Sequence, residues 1–154
     1  MITIEHMESI DHEVGRRIGD AFQRFAACNN IVCDYTPFAF VASENGEIVG
    51  VITGHSYYRE AHISDLIVFE NHRNKGLGRS LIEIAENYCM SIGVENINLS
   101  TYHFQAPDFY KKCGFEIEFI RNHREEPKLN KYFFTKKISI TTNQSQKGVK
   151  EYTL

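Results

Sequence analysis

Two glycines and three cationic side chains crowd the stretch Arg73-Asn74-Lys75-Gly76-Leu77-Gly78-Arg79. Residues of these types can hold an anion. Before them, Leu66-Ile67-Val68-Phe69 is a short apolar run with the β-branched content of a buried strand. After them, Leu77, Leu81, Ile84, Ala85 and Tyr88 fall on one face of a helix, and Gly93 sits where a glycine would end it. The order is strand, glycine turn, helix. A helix start leaves backbone N–H groups unpaired and carries the positive end of the helix dipole. With no Cβ at Gly76 and Gly78, an anion can approach that backbone closely. The combination predicts a phosphate cradle; the competing account is a tight βα turn with solvated charges around it. A P-loop needs four residues between its glycines and a Gly-Lys-Ser/Thr ending, and neither is present. The dinucleotide fingerprint fits in part, because Leu81 stands where its third glycine should be.

What remains is R-x-x-G-x-G, which resembles the acyl-CoA pyrophosphate loop of the GNAT N-acetyltransferase superfamily. Downstream, Ala106-Pro107-Asp108-Phe109-Tyr110-Lys111-Lys112-Cys113-Gly114-Phe115 resembles that superfamily's A-x-x-x-Y-x-K-x-G-F segment. The resemblance covers Phe38 to Ile138, and the first 30 residues fit it more loosely. It implies acetyl-CoA as cosubstrate. Arg73, Asn74, Lys75, Gly76, Leu77, Gly78, Arg79 and Ser80 map onto the pyrophosphate loop, and backbone groups of Ile67 and Val68 onto the pantetheine contact. The family also implies a splay between the strand before the glycine turn and the strand after the helix. His103 stands where many relatives carry a CoA-holding asparagine. Tyr102-His103-Phe104-Gln105-Ala106-Pro107 resembles an uncharacterised bacterial subgroup.

Acetyl transfer to an amine poses two proton problems. At neutral pH roughly one alkyl ammonium in a thousand is a free nucleophile. The departing thiolate benefits from a proton, and the developing oxyanion from a hydrogen-bond donor such as a backbone N–H. Tyr110 matches the family's thiolate-protonating tyrosine; the alternative is a packing tyrosine on a short helix. For proton removal the candidates are Asp65, acting through ordered water, and His62, since an imidazole titrates in the physiological range. Ser64 occupies a place where some relatives carry glutamate. Tyr35, Tyr57, Tyr58 and Tyr102 are candidate acceptor-site linings. Cys113 has no His/Asp partner spacing, and direct transfer in a ternary complex needs no covalent step.

The elements that must position these residues can be read in order. Ile2 to Met7 is a candidate first strand. Ser9 or Asp11 can cap a helix to about Ala27, with Val14, Ile18, Phe22 and Phe25 as its apolar stripe. Phe38–Ser43 and Glu47–Gly54 flank Asn45-Gly46, the favoured type I′ hairpin pair, and their apolar content suggests central strands covered on both faces. His55–Glu60 is a strand extension or a turn. Asn96–Thr101 alternates as a strand, Pro107 opens a short helix ending near Gly114, Phe115–Arg121 alternates again, and Lys131–Ile140 is the last strand. The fold class is α/β: a GNAT-like α/β sandwich with a mixed, mostly antiparallel central sheet flanked by helices. Residues 1–140 are expected to be one N-acetyltransferase domain and 141–154 a polar C-terminal tail.

The chain has 154 residues, 42% hydrophobic and 24% charged, with net charge −3. That balance argues against a nucleic-acid partner and suits a cationic amine. No leader or membrane span is visible, and four cysteines without metal-binding spacing fit a reducing cytoplasm and no metal. The expected activity is transfer of an acetyl group from acetyl-CoA to a primary amine of a small molecule. Acetylation of a protein N-terminus or lysine, or a non-catalytic acyl-CoA-binding sensor, are the alternatives. A homodimer is the expected assembly, through sheet edges or the last strand.

Overall fold

The computed structural model describes residues 1–138; the expected tail, and the end of the last expected strand, lie outside the described residues. The chain forms two compact units, Met1–Tyr35 and a second beginning at Thr36. In the first, Asp11 starts helix α1 (His12–Cys28) by accepting a hydrogen bond from the Val14 amide at 2.8 Å, the usual way to satisfy one orphan donor of a first turn. Residues 2–7 do not form the expected strand. Their alternation is too short to impose a ladder.

The second unit is a six-stranded sheet with helices. Its strands are β1 (Thr36–Glu44), β2 (Glu47–Tyr57), β3 (Glu60–Val68), β4 (Asn96–Tyr102), β5 (Glu116–Arg121) and β6 (Lys131–Lys137), in spatial order β1-β2-β3-β4-β6-β5. Helix α2 (Leu77–Ser91) joins β3 to β4, and α3 (Pro107–Lys112) lies between β4 and β5. Every pairing is antiparallel except β3 with β4. A helical crossover is what a parallel pair requires.

The β1–β2 turn is the expected one: Asn45 and Gly46 both have positive φ, 51° and 83°, as a type I′ turn demands. The β2–β3 turn uses Tyr58 and Arg59 at φ 54° and 63°, so His55–Tyr57 extends β2 and the turn follows it. Neither residue favours that conformation. Arg59 is tied down by an ion pair with Glu95 and by its carbonyl, which accepts from the Glu95 amide. Strand β1 is an edge strand in which only Phe38 is buried, not the centrally covered strand its apolar content suggested.

The core lies between one sheet face and helices α2 and α3. Ile52, Ala61, Ile63, Ile97, Leu99 and Phe134 meet Leu81, Ile82, Ala85 and Cys89 of α2. Each large side chain removed from water this way contributes about 1.5–3 kcal/mol. Gly50 lets α2 come down onto the sheet, since a Cβ there would be 3.1 Å from Leu81 and 3.3 Å from Leu77. Lys136 of β6 donates to Glu86 of α2 at 2.6 Å and to the Cys113 carbonyl at 2.8 Å, fastening sheet, helix and the end of α3 together.

Candidate active site

The mouth of α2 has the geometry its sequence requires. Gly76 is left-handed at φ 85°, and a Cβ there would meet nothing within 4 Å, so the space in front of it is open. No side chain caps the helix, and the first intrahelical bond is Ser80 N–H to Gly76 O at 3.1 Å. The amides of Leu77, Gly78 and Arg79 therefore precede the helical ladder and face outward unclaimed by any described acceptor. Arg73 folds back so that its Nε donates to the Val68 carbonyl at 2.8 Å. Arg79 instead turns to α3, its Nη2 donating to the Lys112 carbonyl at 3.0 Å. Among the described residues, no carboxylate forms an ion pair with Arg73, Lys75 or Arg79. Open space, free amides and unneutralised cations fit a pyrophosphate.

Strands β3 and β4 pair only over Glu60↔Asn96, Ala61↔Ile97 and His62↔Asn98. Beyond that rung β3 continues to Val68 beside β2, and β4 to Tyr102 beside β6, with no rung between them. The result is a V of unpaired strand backbone, closed at His62 and open toward α2. Such edges are ready partners for an amide-bearing chain.

Inside the V, β3 carries a bulge. Thr53 faces Asp65 while Gly54 faces Ile63, so Ser64 is the extra residue. One inserted residue shifts the two-residue period of everything after it. Ala61 and Ile63 point into the core; past the bulge it is Leu66 and Val68 that pack against it. Ser64, Asp65 and Ile67 are exposed. The apolar run around Ile67 is thus half-buried rather than fully buried: Ile67 and Phe69 are 48% and 46% exposed. The Asp65 carboxylate accepts from Thr53 Oγ1 at 2.7 Å.

Tyr110 sits on α3 with its ring among Phe109, Phe115 and Phe134, at centroid distances of 5.2, 6.1 and 5.8 Å. Burial, with a smaller contribution from Cys113, pushes its phenol up to about 12. His103 opens a short 3-10 turn after β4, its Nδ1 3.2 Å from the Tyr132 hydroxyl. Burial raises the thiols of Cys89, to about 11, and Cys113, so neither is an activated nucleophile.

His62 is not isolated. On the sheet face away from α2, its Nδ1 lies 2.6 Å from Asn98 Oδ1, and Asn98 Nδ2 donates to Glu60 at 2.5 Å. These residues, with His55, Tyr57 and Ala61, line a depression of about 310 Å³. The fold therefore gathers Arg73, Lys75 and Gly76–Gly78 at one end of the V and His62 at its closed end. Glu60, Asn98 and His55 were missed in the sequence. The available signal was Asn96-x-Asn98 on one face of a strand, a residue type strands disfavour.

Comparison with known proteins agrees with these features. The sequence profile of the Acetyltransferase (GNAT) family matches residues 3–115. Over 79 residues the chain is 33% identical to a blasticidin-S acetyltransferase of Streptomyces morookaense, covering 51% of this chain and 58% of that protein. It is 36% identical over 74 residues to a streptothricin acetyltransferase of Escherichia coli, 46% of this chain and 42% of that one. The chain thus spans about half the length of these relatives. The crystal structure of an acetyltransferase from Bacillus cereus superposes with a TM-score of 0.68 at 27% identity, covering 87% of this chain and 98% of that one. The motif-bearing loop, the α/β sheet and the profile match converge: the chain belongs to the GNAT acetyltransferase family.

Proposed function

We propose that this protein transfers the acetyl group of acetyl-CoA to a primary amine of a small molecule, by direct attack within a ternary complex. The observation that carries this is the V between β3 and β4 leading from the bare helix mouth of α2 to a polar face of the sheet. The Leu77–Arg79 amides, with Arg73 and Lys75, hold the pyrophosphate. The β3 edge around Ile67 and Val68, which has no β4 partner, meets the amide-bearing pantetheine arm, and His103 sits at the far side of the opening. From His62 to Val68 the strand is roughly 20 Å long, so an arm lying along it carries its sulfur toward the polar end. Supplied with acetyl-CoA, the site needs only to orient an amine, remove its proton and quiet the departing sulfur.

Tyr110 serves the sulfur. With its phenol pushed up to about 12 it is protonated at every working pH. Full transfer to a thiolate of ordinary basicity is uphill, so the O–H acts chiefly as a hydrogen-bond donor while the C–S bond breaks. Asp65, held by Thr53 beside the bulge, orders a water on the acceptor side in this reading. Support for a small amine as acceptor comes from the size and polarity of the depression beside His62, and from two relatives named for small antibiotics.

Calorimetry with coenzyme A, and thiol release from acetyl-CoA with a panel of small amines, test the proposal together. Micromolar binding and amine-dependent thiol release are expected. Lys75→Glu should weaken coenzyme A binding about tenfold or more by putting a negative charge beside the pyrophosphate. Binding without turnover on any amine would replace catalysis with acyl-CoA sensing; turnover only with peptides would move the acceptor to a protein amine. No binding at all removes the proposal.

A further inference from the structure

The hydrogen-bond order around His62 has a chemical consequence. Glu60, as a carboxylate, can only accept. The amide face turned toward it must therefore be the Asn98 NH₂, and both Asn98 Nδ2 and Asn96 Nδ2 donate to the same Glu60 oxygen, at 2.5 and 3.3 Å. Asn96 is fixed in turn, because its Oδ1 accepts from Thr135 Oγ1 at 2.7 Å. The Asn98 carbonyl oxygen is left facing His62 Nδ1 at 2.6 Å. An acceptor there requires a proton on Nδ1. Neutral His62 must then carry its lone pair on Nε2.

We infer that Glu60 and Asn98 are positioning residues that lock His62 in its Nδ1–H form, so that His62 Nε2 is the catalytic base for a compact primary ammonium entering the depression at the closed end of the V. This rests on the acetyl-transfer proposal and names the base that the sequence left open between Asp65 and His62. His62 forms the last β3–β4 rung, where the V closes. The groups facing the depression with it are His55 and Tyr57 from β2, Glu60 from β3 and Asn98 from β4. Asp65 lies further along β3, and Asn96 with Thr135 stands behind Glu60. The His55 ring is 5.6 Å from that of His62. Burial first, and His62 second, lower its affinity for a proton. Glu60 supplies negative charge to the depression, suited to an ammonium.

Nε2 accepts one proton from R–NH₃⁺, and the freed lone pair forms the N–C bond to the acetyl carbonyl carbon. The C–S bond breaks with its electron pair going to sulfur. The second proton shed by the nitrogen reaches the departing sulfur through solvent while the Tyr110 O–H donates a hydrogen bond to it, and the His62 proton leaves to solvent.

The test has a spectroscopic arm and a kinetic arm, both on the full chain. Long-range ¹H–¹⁵N correlation of the imidazoles, with His62 assigned by its absence in His62→Gln, should show the Nδ1–H tautomer in the wild type and its loss in Asn98→Leu. In kinetics, His62→Gln should lower kcat/KM for the amine about 100-fold or more and abolish the acid limb of its pH profile, with KM for acetyl-CoA unchanged. Asn98→Leu and Glu60→Leu should each cost about tenfold. Glu60→Gln, which still accepts from the Asn98 amide, should recover most of that loss. An Nε2–H tautomer in the wild type, or an acid limb that survives His62→Gln, overturns the inference. A wild type that shows the Nδ1–H tautomer but releases no thiol with any amine overturns the base role through failure of the acetyl-transfer proposal, leaving the locked tautomer in place.

Discussion

Gly78 and Phe109 touch across two helices: a Cβ built on Gly78 would lie 3.2 Å from Phe109 Cζ and 3.4 Å from Cε2. The second glycine of the turn therefore admits a ring. Phe109 precedes Tyr110 and meets its ring edge-on, at 76°. The helix mouth and the proposed proton donor are thus packed against one another through a residue with no side chain.

Gly78→Ala is expected to lower both coenzyme A affinity and turnover, because the methyl displaces Phe109 and the shift reaches Tyr110. Overpacking of this kind costs about 1–3 kcal/mol of stability. Calorimetry and chemical denaturation check it. A loss of affinity with unchanged turnover at saturation would detach the two helices functionally.

Tyr110→Phe is expected to lower kcat about 100-fold while leaving KM for acetyl-CoA within a factor of about two. Its pH behaviour follows from the raised phenol. The folded value, about 12, lies above the unfolded value near 10. The stability it contributes is whole below pH about 10 and is lost as pH rises through about 12. Tyrosinate absorbance should show one ring that ionises only with alkaline unfolding, and that ring should vanish in Tyr110→Phe. Ionisation of all eight tyrosines before the fold is lost would contradict the burial.

Gly54→Ala should be among the most damaging single-methyl additions. Its Cβ would fall on the ring of Phe38 and lie 2.5 Å from the His62 carbonyl oxygen, at the bulge itself. Backbone cannot yield as a side chain can, so a loss of about 3 kcal/mol is expected. Thermal melts compared with Gly19→Ala, where nothing stands within 4 Å of the new methyl, provide the control.

Lys136→Met leaves Glu86, whose side chain is 12% exposed, without its cation. An orphaned charge at that depth costs about 3 kcal/mol. Lys136→Met combined with Glu86→Leu should regain much of it. Denaturant midpoints of the wild type, Lys136→Met, Glu86→Leu and the double variant decide, and additive losses would deny the coupling.

The parts legible in the sequence were those governed by local chemistry. Asp11 capping α1, Asn45-Gly46 turning the first hairpin, and Pro107 opening α3 each follow from one residue's own geometry. The α2 mouth was legible because its glycines and cations are consecutive. Long-range pairing hid the rest. Tyr58-Arg59 turns through positive φ without a glycine or asparagine because Glu95, far along the chain, holds Arg59. Asn98 meets His62 only because β3 and β4 pair in parallel at that rung. The strand expected at residues 2–7 shows the reverse error: apolar residues without a ladder to join.

The extra residue at Ser64 fixes how this chain can be aligned with its kin. Counting backward from the glycine turn assigns the acceptor-side positions correctly only in proteins that carry the same insertion. In a relative lacking it, the residue matched to His62 by offset would point at α2, and equivalence must be traced through the cross-strand neighbour His55 instead. Gain or loss of a single codon there would exchange the side chains that β3 before the bulge offers to the two faces while leaving the glycine turn untouched, a route by which, under the proposed function, acceptor preference could change in one step.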